Sequence, residues 1–255
     1  MSLFAAPVIR FFSVFYKNYI CAGIYIALVA AAIISISYES LKTKRYAKAF
    51  EFKNAFHLDV FSYLTSAGMF LSFITQCVML YSAFSTPKRS LTVILSTIMS
   101  ALCALVSSVY FIIVGFSFGD KNYDFREFKL IHIVPMLWAL SNVFNLVELS
   151  TGFEKSIDSV LKYTTVMILV CFFYCFALET DSDEKAHNTT VLFARLYSYL
   201  SILFFTDRLI LVLTGNVRLF GAENAFALTG LMICGFTFFF EKNIFNNSNN
   251  EMTEL

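Results

Sequence analysis

Charge is scarce in this chain, and the scarcity excludes whole classes of function. Of 255 residues only 15% are Asp, Glu, Lys or Arg, and the net charge is +1. Soluble domains carry about 25% charged residues, and no basic field that would gather nucleic acid is present. Breakers are few as well, with three prolines and nine glycines. That weighs against transporters built from interrupted helices. There is one tryptophan, and there are three histidines. HExxH, GxSxG and glycine-rich phosphate loops are all missing. The last apolar run has no lysine that could anchor a retinal Schiff base. The six cysteines, Cys21, Cys77, Cys103, Cys171, Cys175 and Cys234, all fall inside apolar runs, where cysteine packs as a small hydrophobe. Cys171 and Cys175 share a helix face, yet no His or acid stands at ligand spacing beside them. No catalytic residue, cofactor or metal is expected.

Long hydrophobic runs are what the chain does have, and 58% of it is hydrophobic. A hydrocarbon core of about 30 Å takes roughly 20 apolar residues at about 1.5 Å each. Seven runs fit: 19–38, 60–84, 91–118, 130–149, 157–178, 191–213 and 225–240. The clearest, 91–118, holds no charged residue at all. The connecting segments are too short for a separate soluble domain. The expected fold class is all-α, a polytopic transmembrane bundle of seven spans. It divides into an interfacial N-terminal segment at 1–18, a membrane domain at 19–241 and a disordered polar tail at 242–255.

The loop after the first run, 39–57, concentrates Lys42, Lys44, Arg45, Lys48 and Lys53 among aromatics. By the positive-inside rule it tips the protein toward an outside N-terminus and a cytoplasmic C-terminus. It suits a membrane surface, or a second membrane or cytoplasmic protein as partner. The acidic segment ETDSDEKAHNTT reads as a solvated loop.

Polar residues inside the runs are costly, so each needs a companion. In the fourth run Asn142, Asn145 and Glu148 follow one another at three-residue steps, with Trp138 one turn earlier. They share one face, which must look at other helices or at water. One reading is a stripe contacting a substrate or ion, with Glu148 binding a cation or carrying a proton. The other is hydrogen bonding between helices. Asp207 and Arg208 stand in LFFTDRLILVL, inside the sixth run if its helix reaches Leu213, or solvated if it ends at Thr206. Spans 4 and 6 run the same way, so an Arg208–Glu148 contact is allowed. Gln76 lies near the middle of the second run, with Ser66, Ser72 and Thr75 nearby. The candidate ligand or ion contacts are therefore Trp138, Asn142, Asn145, Glu148, Asp207, Arg208 and Gln76. His132 opens the fourth run and reads as interfacial.

Val134-Pro135-x-x-Trp138, opening one span before a short polar loop and an aromatic-rich span, resembles a pattern in uncharacterised multi-spanning proteins of clostridia-type Gram-positive bacteria. The resemblance covers about a fifth of the chain and implies a bacterial plasma membrane, with no activity to carry over. The expected function is a non-enzymatic sensory, regulatory or accessory membrane subunit. The alternative is a small-molecule or ion transporter or channel using the span-4 stripe and the span-6 charges.

Overall fold

The computed structural model describes residues 57–84, 91–119, 129–149, 157–180, 184–213 and 222–253, with parts of 27–38; at 129–130, 144–149, 157–161, 179–180, 184–187, 206–213, 222–224 and 244–253, and at positions 83, 93, 119 and 204, it describes the backbone path alone. Among these residues every element is helical. The helices are α1 (Leu58–Phe84), α2 (Leu91–Gly119), α3 (Val134–Leu149), α4 (Ile157–Thr180), α5 (Glu184–Leu213) and α6 (Ala222–Thr253). Among the described residues three stretches are long and apolar enough to cross a membrane: Leu58–Ser82, Ile94–Phe118 and Ala225–Asn243. Ile131–Val143 and Lys162–Leu178 are apolar but shorter.

Local chemistry sets several boundaries. His57 takes a left-handed backbone, φ 57°, and its carbonyl accepts the first bond of α1 from the Phe61 N–H at 3.1 Å. Histidine is among the residues enriched in that region. A 3-10 turn, Lys129–Ile133, leads into α3. Pro135 is the second residue of α3, where its missing N–H costs the helix nothing. At the far end α6 continues to Thr253. Asn243 helps it on, its Nδ2 donating back to the Phe239 carbonyl at 2.8 Å. Likewise α5 starts at Glu184, inside the acidic segment read as a loop. Acidic residues in a first turn favour the helix because its N-terminus carries a partial positive charge.

Each helix packs on the next, and α6 packs back on α1, so the six close into a ring. Outside the ring, Ile33 of the helical stretch 33–38 rests on the pair Leu200 and Leu203 of α5. The faces of α1 are inverted relative to a helix in water. Ser62, Thr65, Ser66, Ser72, Thr75 and Gln76 are buried, while Val60, Tyr63, Phe70, Ile74 and Val78 are exposed. On α2 the outward residues are Leu91, Leu95, Met99, Leu102, Val106, Val109 and Phe116. Apolar-outward and small-polar-inward is the pattern a lipid solvent demands, because outward apolar groups gain nothing by hiding and polar ones need partners.

The middle of the ring is filled at two levels. Phe111 of α2, Phe173 and Phe176 of α4, and Phe236 and Phe240 of α6 meet with ring centroids 5.4–6.1 Å apart in the Phe111–Phe173, Phe111–Phe236, Phe176–Phe236 and Phe176–Phe240 pairs. These offset and edge-on contacts add to the burial of each ring. Nearer the Phe84 end, Trp138 of α3 meets Phe226 of α6 at 6.0 Å, and Phe226 meets Phe205 of α5 at 5.8 Å.

Candidate functional site

Three of the candidate residues come together where α1, α2 and α3 adjoin. Gln76, Asn142 and Trp138 are all buried, at 6%, 7% and 0% exposure. The helical repeat produces the cluster. Ser72 and Gln76 are one turn apart on α1, and Trp138 and Asn142 are one turn apart on α3, so each pair projects from one face. Ser100 arrives from the antiparallel α2.

The Gln76 Nε2 donates to Ser100 Oγ at 2.5 Å and, more weakly, to Asn142 Oδ1 at 3.4 Å. The Asn142 Nδ2 turns back along its own helix to donate to the Trp138 carbonyl at 2.8 Å. The Trp138 indole Nε1 donates to Ser72 Oγ at 3.3 Å. One turn along α2 from Ser100, Ser96 Oγ donates to the Ser141 carbonyl at 3.5 Å, while Ser141 Oγ caps the same Trp138 carbonyl at 2.8 Å. The network ties three helices by side chains. One acceptor is left out of it: the Gln76 Oε1 is buried without a hydrogen-bond partner. An acceptor left in that state costs about 1–3 kcal/mol.

The other candidates are placed by the backbone alone. Asn145 and Glu148 continue the α3 helix beyond Asn142. Asp207 and Arg208 lie within α5, which reaches Leu213 rather than ending at Thr206. The proposed Arg208–Glu148 contact and the burial of Asp207 and Arg208 fall outside the described side chains. So do the N-terminal segment 1–18 and nearly all of the basic loop 39–57.

Three features escaped the sequence reading. His132 is buried in the protein: it is 1% exposed, and its Nδ1 lies 2.9 Å from the Tyr110 hydroxyl, itself buried. The 3-10 turn swings it inward, whereas a helix extended straight back from Val134 gave no reason for that direction. A second polar seam joins α5 to α6. Ser198 and Thr237 exchange a hydroxyl bond at 2.7 Å, Tyr197 donates to the Gly230 carbonyl at 3.1 Å, and Arg195 Nε meets Glu241 Oε1 at 2.6 Å. A third seam joins α6 to α1, where Thr229 donates to the Gly68 carbonyl at 2.8 Å and Thr65 to the Met232 carbonyl at 3.2 Å. These are backbone-anchored contacts of the kind that hold helices together in lipid.

Among the described residues no group of His, Cys, Asp and Glu is placed to hold a metal ion. The five described cysteines are free thiols. No family model, no curated protein and no solved structure matches the chain.

Proposed function

We propose that this protein is a multi-pass membrane subunit that senses, regulates or accompanies a partner rather than conducting a solute. The observation that carries the reading is the filled interior. Phe111, Phe173, Phe176, Phe236 and Phe240 occupy the ring's middle at one level, and Trp138, Phe226 and Phe205 cross it at another. A solute path needs a water-lined passage, and stacked aromatic rings are its opposite. The network at Gln76 supports the same reading, because most of its bonds tie helix to helix.

The apolar outer faces of α1 and α2, together with three helices of spanning length, support the bilayer as surroundings. Seven spans, an outside N-terminus and a cytoplasmic C-terminus follow from the runs and the basic loop at 39–57. The resemblance around Val134, Pro135 and Trp138 supports a bacterial plasma membrane. The partner is a membrane or cytoplasmic protein engaged through that basic loop.

The test is affinity purification from native membranes in mild detergent, with parallel reconstitution into liposomes. A second protein at fixed stoichiometry supports the reading when it is lost on changing Lys42, Lys44, Arg45, Lys48 and Lys53 to Gln. Solute or cation flux above that of empty liposomes overturns it.

The second reading is a transporter or channel using the α3 stripe and the α5 charges. What favours it is the continuation of α5 through Asp207 and Arg208 to Leu213. Flux in liposomes that Glu148→Gln abolishes would establish it.

A further inference from the structure

At one end of the ring the apolar stretches of α1 and α6 stop at the same level. His57 stands one residue before the stretch Leu58–Ser82, and Lys242 one residue inside the end of Ala225–Asn243. Both meet a single side chain, Phe239. The Lys242 Nζ lies 5.9 Å from its ring centroid, and the His57 ring meets it edge-on at 6.1 Å. Phe239 is itself stacked on Phe61 at 4.4 Å, which holds it in the α1–α6 seam. Lys242 and His57 are both exposed. An ammonium carries three donor hydrogens and an imidazole at least one, so the pair can serve an oxyanion alongside its present contacts.

Toward the middle of the spans the same outer surface is apolar. Phe238, one turn before Lys242 on α6, is 49% exposed, and Val60 and Leu64 of α1 are exposed with it. The acids at this end leave room for an anion. Glu241 turns to α5, where Arg195 holds it at 2.6 Å. Asp59 is partly buried in the first turn of α1, whose leading N–H groups carry a partial positive charge that offsets it. The sequence leading into α1 is basic: between residues 39 and 59 it has Lys42, Lys44, Arg45, Lys48 and Lys53 against Glu39, Glu51 and Asp59. A cationic rim above an aromatic and aliphatic flank matches an anionic headgroup and its acyl chains together.

We infer that the outer side of the α1–α6 seam, at the end where α1 begins, binds an anionic phospholipid. Lys242 and His57 hold the phosphate, and the acyl chains lie along Phe238 and Leu64. The inference rests on the bilayer as surroundings and needs neither a protein partner nor a particular orientation. The apolar flank favours a lipid over a free phosphate, which would leave Phe238 uncovered.

The test counts lipid on the purified full chain. Stripped of lipid in detergent, the protein is mixed with dioleoyl phosphatidylglycerol or dioleoyl phosphatidylcholine over a concentration series, and retained lipid is measured by native mass spectrometry. One phosphatidylglycerol per chain, bound at least tenfold more tightly than phosphatidylcholine, is the expected result. Lys242→Gln should weaken phosphatidylglycerol at least fivefold and leave phosphatidylcholine unchanged, Lys242→Arg should restore it, and Phe238→Ala should weaken both lipids. Millimolar glycerol 3-phosphate should not displace the lipid. Equal affinity for the two lipids overturns the proposal, and displacement by glycerol 3-phosphate overturns the choice of a lipid. So does a preference that survives Lys242→Gln and disappears when Lys42, Lys44, Arg45, Lys48 and Lys53 become Gln, which would put the anion on the basic segment instead.

Discussion

Arg195 of α5 and Glu241 of α6 form a 2.6 Å ion pair with both side chains mostly buried, at 16% and 23% exposure. It lies toward the end of the ring where α1 begins, and it clamps the seam that Ser198 and Thr237 continue. Removing Arg195 leaves a carboxylate with less compensation in a partly desolvated place. Arg195→Ala is expected to destabilise the protein by about 2 kcal/mol, between the values for exposed and buried pairs. Unfolding in detergent of both single mutants and the double mutant checks it. Strictly additive effects would show that the two residues do not stabilise each other.

Close approach of α6 to α1 depends on Gly235. A Cβ there would run into the Phe61 ring, and Phe61 is stacked on Phe239 at 4.4 Å, so it has little room to retreat. Gly235→Ala is expected to cost about 1–3 kcal/mol, as overpacking does. Gly115→Ala provides the control. Its Cβ meets Tyr63, which is exposed and swings outward, so melting should fall far less.

The indole of Trp138 reports its own hydrogen bond. Ser72→Ala removes the acceptor of Nε1 and leaves a buried donor unmatched. Emission is expected to shift to shorter wavelength, with a stability loss of about 1–3 kcal/mol. An unchanged spectrum would mean that the serine does not hold the ring.

The aromatic filling separates inner from outer phenylalanines. Phe236 is fully buried against Phe111, Phe176 and Phe240, and Phe236→Ala should cost about 3–5 kcal/mol through lost burial and the cavity left behind. Phe116, 55% exposed on the outer face of α2, should tolerate the same change with little loss. Thermal unfolding of the two variants side by side measures the contrast. Equal losses would mean that the described interior is not the interior.

Much of this was legible in the chain because apolar length and helical period are local properties. The run at 91–118 became α2, Leu91–Gly119, and the candidate Gln76 stands with its neighbours Ser66, Ser72 and Thr75 on one buried face. Trp138 and Asn142 were visible as a stripe for the same reason. Ser100, the nearest partner of Gln76, carried no signal. A single serine in a long apolar run has no period of its own, and its meaning comes from a helix 24 residues away in sequence. The His132–Tyr110 pair was hidden likewise, since the 3-10 turn that aims the imidazole inward leaves no mark in hydropathy. The closure of α6 onto α1 is the most distant relationship of all, and nothing in the order of the runs dictates it.

That closure bears on how the protein is made. Of the described helices α6 leaves the ribosome last, and until it arrives the edge of α1 stays open. Thr65 then lacks its acceptor, the Gly68 carbonyl lacks its Thr229 donor, and the hydroxyls of Tyr197 and Ser198 on α5 lack theirs. A nascent chain halted before residue 222 would therefore show two polar edges to acyl chains at once. Such an intermediate is a natural client for an insertase or a membrane protease, and quality control of this protein should read the arrival of α6.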